Sequence, residues 1–475
     1  MKSFLRLSLA VSAALLCSAI SVAAAQTPAQ PPIYAPPQAA IAPIDLKFDF
    51  SSGPAKPGFA RVAPTAIYDD ATGFGYQPGA SIANGDNGQT TTSDKPFQFS
   101  AKVPEGNYII TVTFGDSTTA TTTTFKAESG RLLLLRAEAP AGKIELATLA
   151  VNVRTPHLPK LPTNATGREE VSLDQFDAGN TRDWDGKLTI EVVSPHAALR
   201  TIEITSAPTI PTIFIAGDST VTDRDGGGDV SWGQILPVFL NGGVAVSNHA
   251  QSGETLKSFA NALRLDKILS QMKQNDYLFI QFTHNDSKAS WPQTYVDPET
   301  TYKDYLRVYI DEARLRGATP VLVTAMDRGA RGTGLPTHGH DGYPQAMRDL
   351  AAEMHVALID LYAMSDTFYS SAGADAPAIL ADGTHSTAYG GYEFAKCIVM
   401  GIQQNKLPLS SFIVDDFKPF DPAHPDSAAV LNLAPLFSNA TTQRGVRPGG
   451  SLPAATPGAS PSAAPRPANP GPGRL

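Results

Sequence analysis

The feature that most constrains this sequence is a change in its apolar pattern near residue 208. From residue 44 to 207, apolar and polar residues alternate in short runs separated by Gly, Asn, Asp and Pro, a pattern typical of antiparallel sandwiches. From residue 211 to about 406, buried-strand runs alternate with amphipathic stretches. That alternation favours a parallel sheet covered by helices on both faces. The sequence therefore predicts an α/β domain preceded by an all-β sandwich domain.

The strand–helix alternation also indicates where polar side chains of the second half should collect. In parallel sheets of this kind, ligands bind at the carboxyl ends of the strands. The predicted strands are 212–216, 244–247, 277–282, 320–325 and 356–361, and the predicted helices are 232–240, 256–273, 302–316, 344–355 and 388–403.

Both ends of the chain differ from this globular middle. Residues 1–25 begin with Lys2 and Arg6, continue through an apolar stretch and end in three alanines, which predicts a cleaved signal peptide and a secreted protein, periplasmic or extracellular. Of the 39 prolines, 14 lie in 26–43 and 446–475. We expect the first segment to be a semi-extended linker and the second a disordered tail. Residues 407–445 are predicted to be an extension packed on the α/β domain.

Composition excludes several classes of protein. With 42% hydrophobic and 17% charged residues, the chain has enough apolar material to form a core. A net charge of −8 offers no overall attraction to nucleic acid or, once the signal is removed, to anionic membranes. Signal cleavage also removes one of the two cysteines and leaves Cys397, so no internal disulfide is expected. The sequence does not indicate an oligomeric state.

Two segments of the α/β half contain residues suited to nucleophilic catalysis. Ser219 follows the first predicted strand within Gly217-Asp218-Ser219-Thr220, where unpaired helix N–H groups would lie near its hydroxyl. Asp382 and His385 precede the last predicted helix, and a carboxylate three residues from an imidazole can hold it in one tautomer facing a serine. Taken singly, each segment is better explained by a turn or a helix cap.

Two further segments follow predicted strands. Gly253 offers a backbone N–H without a side chain to obstruct it, and the amide of Asn285 is able to donate towards an oxyanion. A loop glycine and a turn asparagine are the structural alternatives. The order Ser, Gly, Asn, Asp-x-x-His, with each segment expected at the carboxyl end of a strand, is more specific than any one of its members.

This joint pattern resembles the SGNH (GDSL-type) hydrolases, and within them the rhamnogalacturonan acetylesterase branch. The resemblance covers about residues 211–406. It rests on four blocks, which are Phe214-Ile215-Ala216-Gly217-Asp218-Ser219-Thr220, Asn248-His249-Ala250-Gln251-Ser252-Gly253, Phe279-Ile280-Gln281-Phe282-Thr283-His284-Asn285-Asp286 and Asp382-Gly383-Thr384-His385. It implies a flavodoxin-like three-layer α/β/α fold. The segment from Lys47 to Pro54 is similar to the start of a galactose-binding-like module found ahead of such esterase domains.

The resemblance also implies roles for the residues of these blocks. Ser219 would be the nucleophile, His385 the general base and Asp382 its orienting partner. The oxyanion donors would be the backbone N–H groups of Ser219 and Gly253 with the side-chain amide of Asn285. No metal or cofactor is required by this chemistry.

The implied activity is that of a serine carbohydrate esterase. The expected substrate is an acetylated plant cell-wall polysaccharide, with rhamnogalacturonan (pectin) as first choice. Xylan, another glycan or a broad range of short-chain esters are the alternatives. A glycan-binding protein with an inert hydrolase domain is the alternative that is not an enzyme.

Three departures from the branch pattern bear on the site. Thr283 stands where glycine is usual and is expected to crowd the oxyanion hole, and Glu254 adds a negative charge near the pocket. The loop 331–343, with His338 and His340, is expected to be exposed and free of contacts with the cleft.

Two further groups of residues are weighed for ligand binding. Asp223, Asp225 and Asp229 do not match the spacing of a calcium loop. In the β half, Tyr68, Phe74, Tyr76 and Trp184 are candidates for stacking on sugar rings, but core packing is the favoured interpretation for most of them.

Overall fold

The computed structural model describes residues 43–437 except 80, 94, 160–167, 174–180, 227, 330–332, 334 and 341. The predicted signal peptide (1–25), the linker (26–43, apart from its last residue) and the C-terminal tail (446–475) lie outside this range. Among the helices within it, none is long and apolar enough to span a bilayer.

The first half forms two sheets that pack face to face and are antiparallel except for one parallel strand pair at an edge. One sheet has the strand order β10-β7-β12-β1-β2, with β5 beside β12 and β4 beside β5, and the other has the order β3-β6-β11-β8-β9. The strands are β1 Asp45–Asp49, β2 Ala60–Arg61, β3 Phe74–Tyr76, β4 Ile82–Gly85, β5 Thr90–Ser93, β6 Phe97–Lys102, β7 Gly106–Phe114, β8 Thr121–Ala127, β9 Arg131–Ala139, β10 Glu145–Val153, β11 Lys187–Val193 and β12 Leu199–Ser206.

The predicted alternation explains why these strands form a sandwich. In β7, the side chains of Tyr108, Ile110, Val112 and Phe114 are all buried, because every second residue of a strand faces the same side of its sheet. These residues join one hydrophobic core with buried residues of the second sheet, such as Ile190.

The second half contains a parallel sheet in the order β14-β13-β15-β16-β17. In chain order this is 2-1-3-4-5, the flavodoxin-like arrangement, so the predicted fold class is confirmed. Its strands are β13 Thr212–Gly217, β14 Ala245–Asn248, β15 Tyr277–Gln281, β16 Thr319–Val323 and β17 Ala357–Ile359. The α-helices are α1 Trp232–Ile235, α2 Leu256–Asn261, α3 Arg264–Gln271, α4 Thr301–Leu315, α5 Tyr343–Met354, α6 Leu361–Ser371, α7 Ala388–Gln404, α8 Ala428–Leu431 and α9 Ala434–Phe437.

Successive residues of the central strand face two different helical layers. Ile213 and Ile215 of β13 pack into one core that includes residues of α1 and α7. Phe214 and Ala216 pack into the other, with residues of α2 to α5. A strand buried on both faces needs a continuous apolar run, which Ile213 to Ala216 provide.

Three details of this half differ from the sequence prediction. The predicted helix 256–273 is two helices, because Leu263 adopts the left-handed conformation (φ 63°) between them. Only the first turn of the predicted helix 232–240 is α-helical, and Leu236–Phe239 continue as a 3-10 helix. Helix α6 was not predicted, since its start overlaps the apolar run assigned to the last strand.

A polar seam joins the sandwich to the parallel sheet. Asn107 of β7 donates to Thr212 of β13 at 2.8 Å, and Ser247 of β14 donates to Asn152 of β10 at 2.7 Å. Arg131 of β9 is buried and donates to the Val246 carbonyl at 3.0 Å. These contacts hold the edge strand β14 against the sandwich.

The C-terminal extension contacts both halves of the molecule. The Tyr389 hydroxyl of α7 donates to the Asp426 carbonyl at 2.9 Å. On the sandwich, Lys126 donates to the Leu436 carbonyl at 2.7 Å, and Arg136 donates to the Leu431 carbonyl at 2.6 Å. The extension therefore packs on the sandwich as well as on the α/β domain.

Candidate active site

The turn after β13 presents Ser219. A Cβ on Gly217 would lie 3.0 Å from the Gln281 carbonyl of the neighbouring strand, so glycine fits best where the chain leaves the sheet. The next residue, Asp218, is fully buried and accepts hydrogen bonds from the backbone N–H (2.9 Å) and hydroxyl (2.7 Å) of Thr220. Burial alone would raise the pKa of Asp218, but the neighbouring His284 and Thr220 bring it down to about 2. An ionised, hydrogen-bonded anchor thus holds the turn and leaves Ser219 partly exposed.

Asp382 and His385 meet Ser219 as the sequence predicts. Nε2 of His385 lies 2.9 Å from Oγ of Ser219, and Nδ1 lies 2.8 Å from Oδ2 of Asp382. Burial raises the pKa of Asp382, but hydrogen bonds from His385 and Thr384 outweigh it and hold the pKa well below its ordinary value. The carboxylate is therefore ionised, which favours the tautomer with the proton on Nδ1 and leaves Nε2 free to accept the serine proton.

The location of this segment differs from the prediction in one respect. Asp382 does not directly follow a strand, because α6 and the 3-10 helix Gly373–Ala378 separate it from β17. The segment lies immediately before α7, whose first turn is capped by Thr387.

Three predicted donors lie on the loops around this serine. The backbone N–H groups of Ser219 and Gly253 make no hydrogen bond within the described part of the chain. Gly253 has a φ of +87° and open space where a Cβ would be, so its backbone conformation, more than crowding, favours glycine. The Asn285 amide donates to the Glu254 carbonyl at 3.0 Å, which ties the loop after β15 to the loop after β14 and leaves its second N–H for a ligand.

Thr283 and Glu254, two of the departures from the branch pattern, both make contacts near these donors that explain how they are accommodated. The side chain of Thr283 is buried, and its hydroxyl lies 3.2 Å from that of Tyr302 on α4. The core thus accommodates its bulk, and the expected crowding does not follow from these contacts. Glu254 is half-buried, and its carboxylate accepts a hydrogen bond from the hydroxyl of Ser258.

The expectation for the loop 331–343 is wrong at one of its two histidines. His340 is 1% exposed and packs edge-on against His284, with 4.4 Å between ring centroids. Burial lowers the pKa of both histidines, that of His340 to about 2, which favours the neutral form of each ring. The side chain of His338 is 65% exposed, as expected. Part of this loop (331, 332, 334 and 341) lies outside the described residues.

The acidic residues after Ser219 are paired with cations of the protein. Asp223 lies 3.0 Å from the guanidinium of Arg131, Asp225 contacts Arg182 and Asp229 lies 3.8 Å from Arg224. These three carboxylates therefore serve as ion-pair partners.

A different cluster brings together groups of the kind that bind metals. Ligand atoms of Asp327, His338 and Asp366 lie within 4.8 Å of one another. The Asp327 carboxylate, however, already accepts the backbone N–H groups of Arg328, His338 and Gly339. It anchors the start of this loop.

Three residues near the donors were missed by sequence reasoning. Arg328, which follows β16, donates to Thr384 and to the His284 carbonyl, so it links the Asn285 loop to the Asp382 segment. Lys288 donates to Oδ1 of Asn285 at 2.7 Å, and its ammonium lies 4.3 Å from the ring centroid of Trp291. The position of Arg328 after a strand was the available signal for it, whereas Lys288 and Trp291 have none beyond their closeness to Asn285 in sequence.

The sandwich aromatics are located mainly as core packing predicts. Tyr76 is fully buried and Trp184 is 6% exposed. Phe74 is half-buried against the sandwich core, and Tyr68 has the ammonium of Lys187 4.9 Å from its ring centroid.

Comparison with known proteins identifies the family. Residues 215–391 match the GDSL-like lipase/acylhydrolase family. The chain is 37% identical over 212 residues to the probable rhamnogalacturonan acetylesterase YesY of Bacillus subtilis, covering 43% of this chain and 98% of YesY. It is 35% identical over 221 residues to the rhamnogalacturonan acetylesterase RhgT of the same organism, covering 42% and 94% respectively.

A third relative is similar over more of the chain. The uncharacterized esterase YxiM of B. subtilis is 26% identical over 361 residues, covering 71% of this chain and 84% of YxiM. Its crystal structure matches with a TM-score of 0.41 at 22% identity, covering 77% of this chain and 99% of that one. On the match to YesY and the family model, the chain belongs to the GDSL-like lipase/acylhydrolase family, and the prediction of an ester-hydrolysing enzyme is confirmed.

Proposed function

We propose that this protein is a carbohydrate acetylesterase with Ser219 as its nucleophile. The observation that carries the proposal is the continuous contact from Oγ of Ser219 through His385 to Asp382, at 2.9 Å and 2.8 Å. Serine is a weak nucleophile until a base takes its proton, and a base is effective only within hydrogen-bond reach. The geometry meets both needs.

In the proposed reaction, Oγ of Ser219 attacks the acetyl carbonyl while Nε2 of His385 accepts the serine proton. The oxyanion that forms is stabilised by the N–H groups of Ser219, Gly253 and Asn285. Each such donor contributes about 3 kcal/mol of transition-state stabilisation. The tetrahedral intermediate collapses, and the sugar oxygen leaves with the proton from His385. Water then attacks the acetyl-serine with His385 as base, the bond to Oγ of Ser219 breaks as His385 returns the proton to that oxygen, and acetate departs.

For the substrate, we propose acetylated rhamnogalacturonan. The support is the similarity to YesY and RhgT, whose names state this activity. Acetylated xylan or another glycan remains the alternative, since one fold accommodates many ester substrates. Secretion through residues 1–25 is part of the proposal, and sequencing the N-terminus of the exported protein would test it.

The test is acetate release by the wild type and by Ser219→Ala from acetylated rhamnogalacturonan, homogalacturonan, xylan and a small acetyl ester. Loss of the nucleophile should lower kcat by about 10⁴-fold or more on every substrate that the wild type cleaves. Ser411→Ala, an exposed serine of the C-terminal extension, is the matched control and should retain activity. Acetate release from xylan alone would agree with the proposed mechanism but contradict the proposed substrate. Release that survives in Ser219→Ala would overturn the mechanism.

A further inference from the structure

A large aromatic side chain is exposed close to the proposed oxyanion site. Trp291 is 47% exposed and lies in a hydrogen-bonded turn, where its N–H donates to the Lys288 carbonyl at 2.8 Å and its own carbonyl accepts the N–H of Tyr295 at 2.9 Å. The indole is thus presented to solvent on an ordered backbone. A rigid exposed ring of this kind offers a flat apolar face, which suits the apolar face of a pyranose ring.

Lys288 connects this indole to the reacting centre. Its ammonium lies 4.3 Å from the Trp291 ring centroid and 2.7 Å from Oδ1 of Asn285. Turning the Asn285 amide over would set its NH₂ against the ammonium and its oxygen against the Glu254 carbonyl, so the observed orientation is the favourable one. The positive charge therefore adjoins the amide that is proposed to bind the oxyanion, and the aromatic ring adjoins that charge.

The Lys288 ammonium is influenced by charges of both signs but is not held in a close ion pair by any described residue. No described carboxylate lies within 4.0 Å of the Lys288 ammonium or of the Arg328 guanidinium. Burial, and next the charge of Arg328, lower the pKa of Lys288, which is the expected response of a cation with a second cation nearby. Asp218 acts on both cations from a longer distance, and Asp382 and Asp327 act on Arg328 as well. Lys288 is therefore the cation that is more available to pair with an anionic group on the ligand.

We propose that Lys288 and Trp291 form a subsite for a uronic-acid residue next to the acetylated sugar. The pyranose ring of that residue would lie against the Trp291 indole, and its carboxylate would pair with the Lys288 ammonium. This inference rests on the proposed function, because it requires Ser219 to be the nucleophile of an esterase on carbohydrate. It adds the residues that would recognise an acidic sugar of that substrate and so disfavour a neutral polysaccharide such as xylan.

The test compares kcat/KM for acetylated oligosaccharides that contain uronic acid with kcat/KM for neutral acetylated xylo-oligosaccharides. Lys288→Met should lower the ratio of the two by about 10-fold, the loss of about 1.4 kcal/mol of pairing energy. The ratio cancels any common loss of kcat that follows from the contact with Asn285. Lys288→Arg should keep most of the ratio, since it keeps the charge. Trp291→Ala should raise KM for both oligosaccharides relative to a small acetyl ester.

Two surface substitutions and a salt series complete the design. Lys143→Met and Val308→Ala, both at exposed positions, remove one charge and one apolar side chain outside the proposed subsite and should not change either ratio. Raising salt from about 0.02 to about 0.2 M should weaken the preference of the wild type for the acidic substrate, because added ions screen the pairing. This last measurement requires no variant to fold.

The outcomes separate the two proposals. If acetate release depends on Ser219 but the acidic-to-neutral ratio is the same in wild type and Lys288→Met and does not respond to salt, the subsite is wrong and the esterase stands. If no acetylated carbohydrate is cleaved in a manner that depends on Ser219, the proposed function itself is wrong.

Discussion

Asp382 holds His385 through more than the single contact between their side chains. While Oδ2 faces Nδ1 of the imidazole, Oδ1 accepts the backbone N–H groups of Thr384 at 3.0 Å and His385 at 2.9 Å. The carboxylate is fixed in the plane of the ring that it orients. This explains how an exposed loop can supply a base of defined tautomer without a strand immediately before it.

The first prediction at this scale concerns that tautomer. Asp382→Asn should lower kcat by about 10⁴-fold, because an amide NH₂ facing Nδ1 forces the imidazole proton onto Nε2, where it blocks acceptance of the serine proton. The thermal midpoint should change little, since an amide oxygen still accepts both backbone N–H groups. Kinetics on a small acetyl ester and a melting curve measure both effects.

The chain provides a matched control for this substitution. Asp421 and His424 have the same spacing and the same 2.8 Å contact between Oδ2 and Nδ1, but both side chains are exposed and belong to the C-terminal extension. Asp421→Asn should leave kcat unchanged. Equal losses in the two variants would contradict the assignment of Asp382.

The pair Asp421 and His424 also shows how much of a site a residue pattern alone can predict. Asp-x-x-His occurs at both 382 and 421, and only the approach of Ser219 distinguishes the two in space. The site was predictable because the four segments that contain Ser219, Gly253, Asn285 and His385 follow one another in the order of the SGNH pattern. Lys288 and Trp291 follow Asn285 in sequence, but no pattern of residue types indicates that Lys288 contacts both the amide of Asn285 and the ring of Trp291. Similarly, His340 is buried by a loop whose polar composition predicts exposure.

At the scale of elements, the site is assembled from loops that brace one another. Asn285 contacts the loop after β14, and Arg328 joins the loop after β15 to the segment before α7. Asp286 accepts the N–H of Leu256, the first residue of α2, at 2.9 Å. Each loop therefore depends on its neighbours for its position, which explains why residues from distant parts of the sequence meet around Ser219.

The order of the strands and helices in the α/β half was predictable from the sequence, whereas the residues at which they begin and end were less predictable. A buried strand and an amphipathic helix each have a clear apolar period, whereas the break at Leu263 arises from a single left-handed residue. Leucine does not favour that conformation. Helix α6 begins two residues after β17 ends, so one apolar run contributes to two elements and no turn residue separates them in the pattern.

Asp286 leads to a prediction about how the stability of the folded protein depends on pH. Burial raises the pKa of Asp286 to about 8 despite the hydrogen bond from α2, whereas an unfolded aspartate titrates near about 3.9. The folded state therefore holds more protons between these values, and stability should fall as pH rises through this window, by at most about 1.4 kcal/mol per pH unit. In Asp286→Asn, stability should decrease less over the same pH window.

Urea unfolding at pH 5 and pH 8 would measure the effect. Asp349→Asn, which removes an exposed carboxylate on α5, is the control and should retain the wild-type difference between the two pH values. If the free energy of unfolding falls as much in Asp286→Asn as in the wild type between pH 5 and pH 8, Asp286 is ionised in the folded state and the prediction is wrong.

At the scale of the whole molecule, the sandwich contacts the loops that carry the candidate site. YesY aligns over 98% of its length with only 43% of this chain, so a relative of that size has no counterpart for the rest. In this protein, however, Arg131 of the sandwich lies 3.0 Å from Asp223, four residues after Ser219. Asp223 in turn accepts the Asn248 amide at 2.8 Å, at the end of β14. The ion pair thus links the sandwich to two loops of the site.

The last prediction tests that link. Arg131→Met should lower the free energy of unfolding by about 3–5 kcal/mol, because it removes the guanidinium that faces the buried carboxylate of Asp223. Adding Asp223→Asn should recover part of the loss, since the buried charge that faced Arg131 is then removed and Asp183 keeps its contact with Arg154. Lys47→Met, which breaks a partly exposed pair with Glu203 on the same sandwich, should have far less effect. Denaturant unfolding of the four proteins, with kcat on a small ester in parallel, gives both readouts. A sandwich that served only as an appended module would tolerate Arg131→Met with unchanged kcat and no rescue by Asp223→Asn.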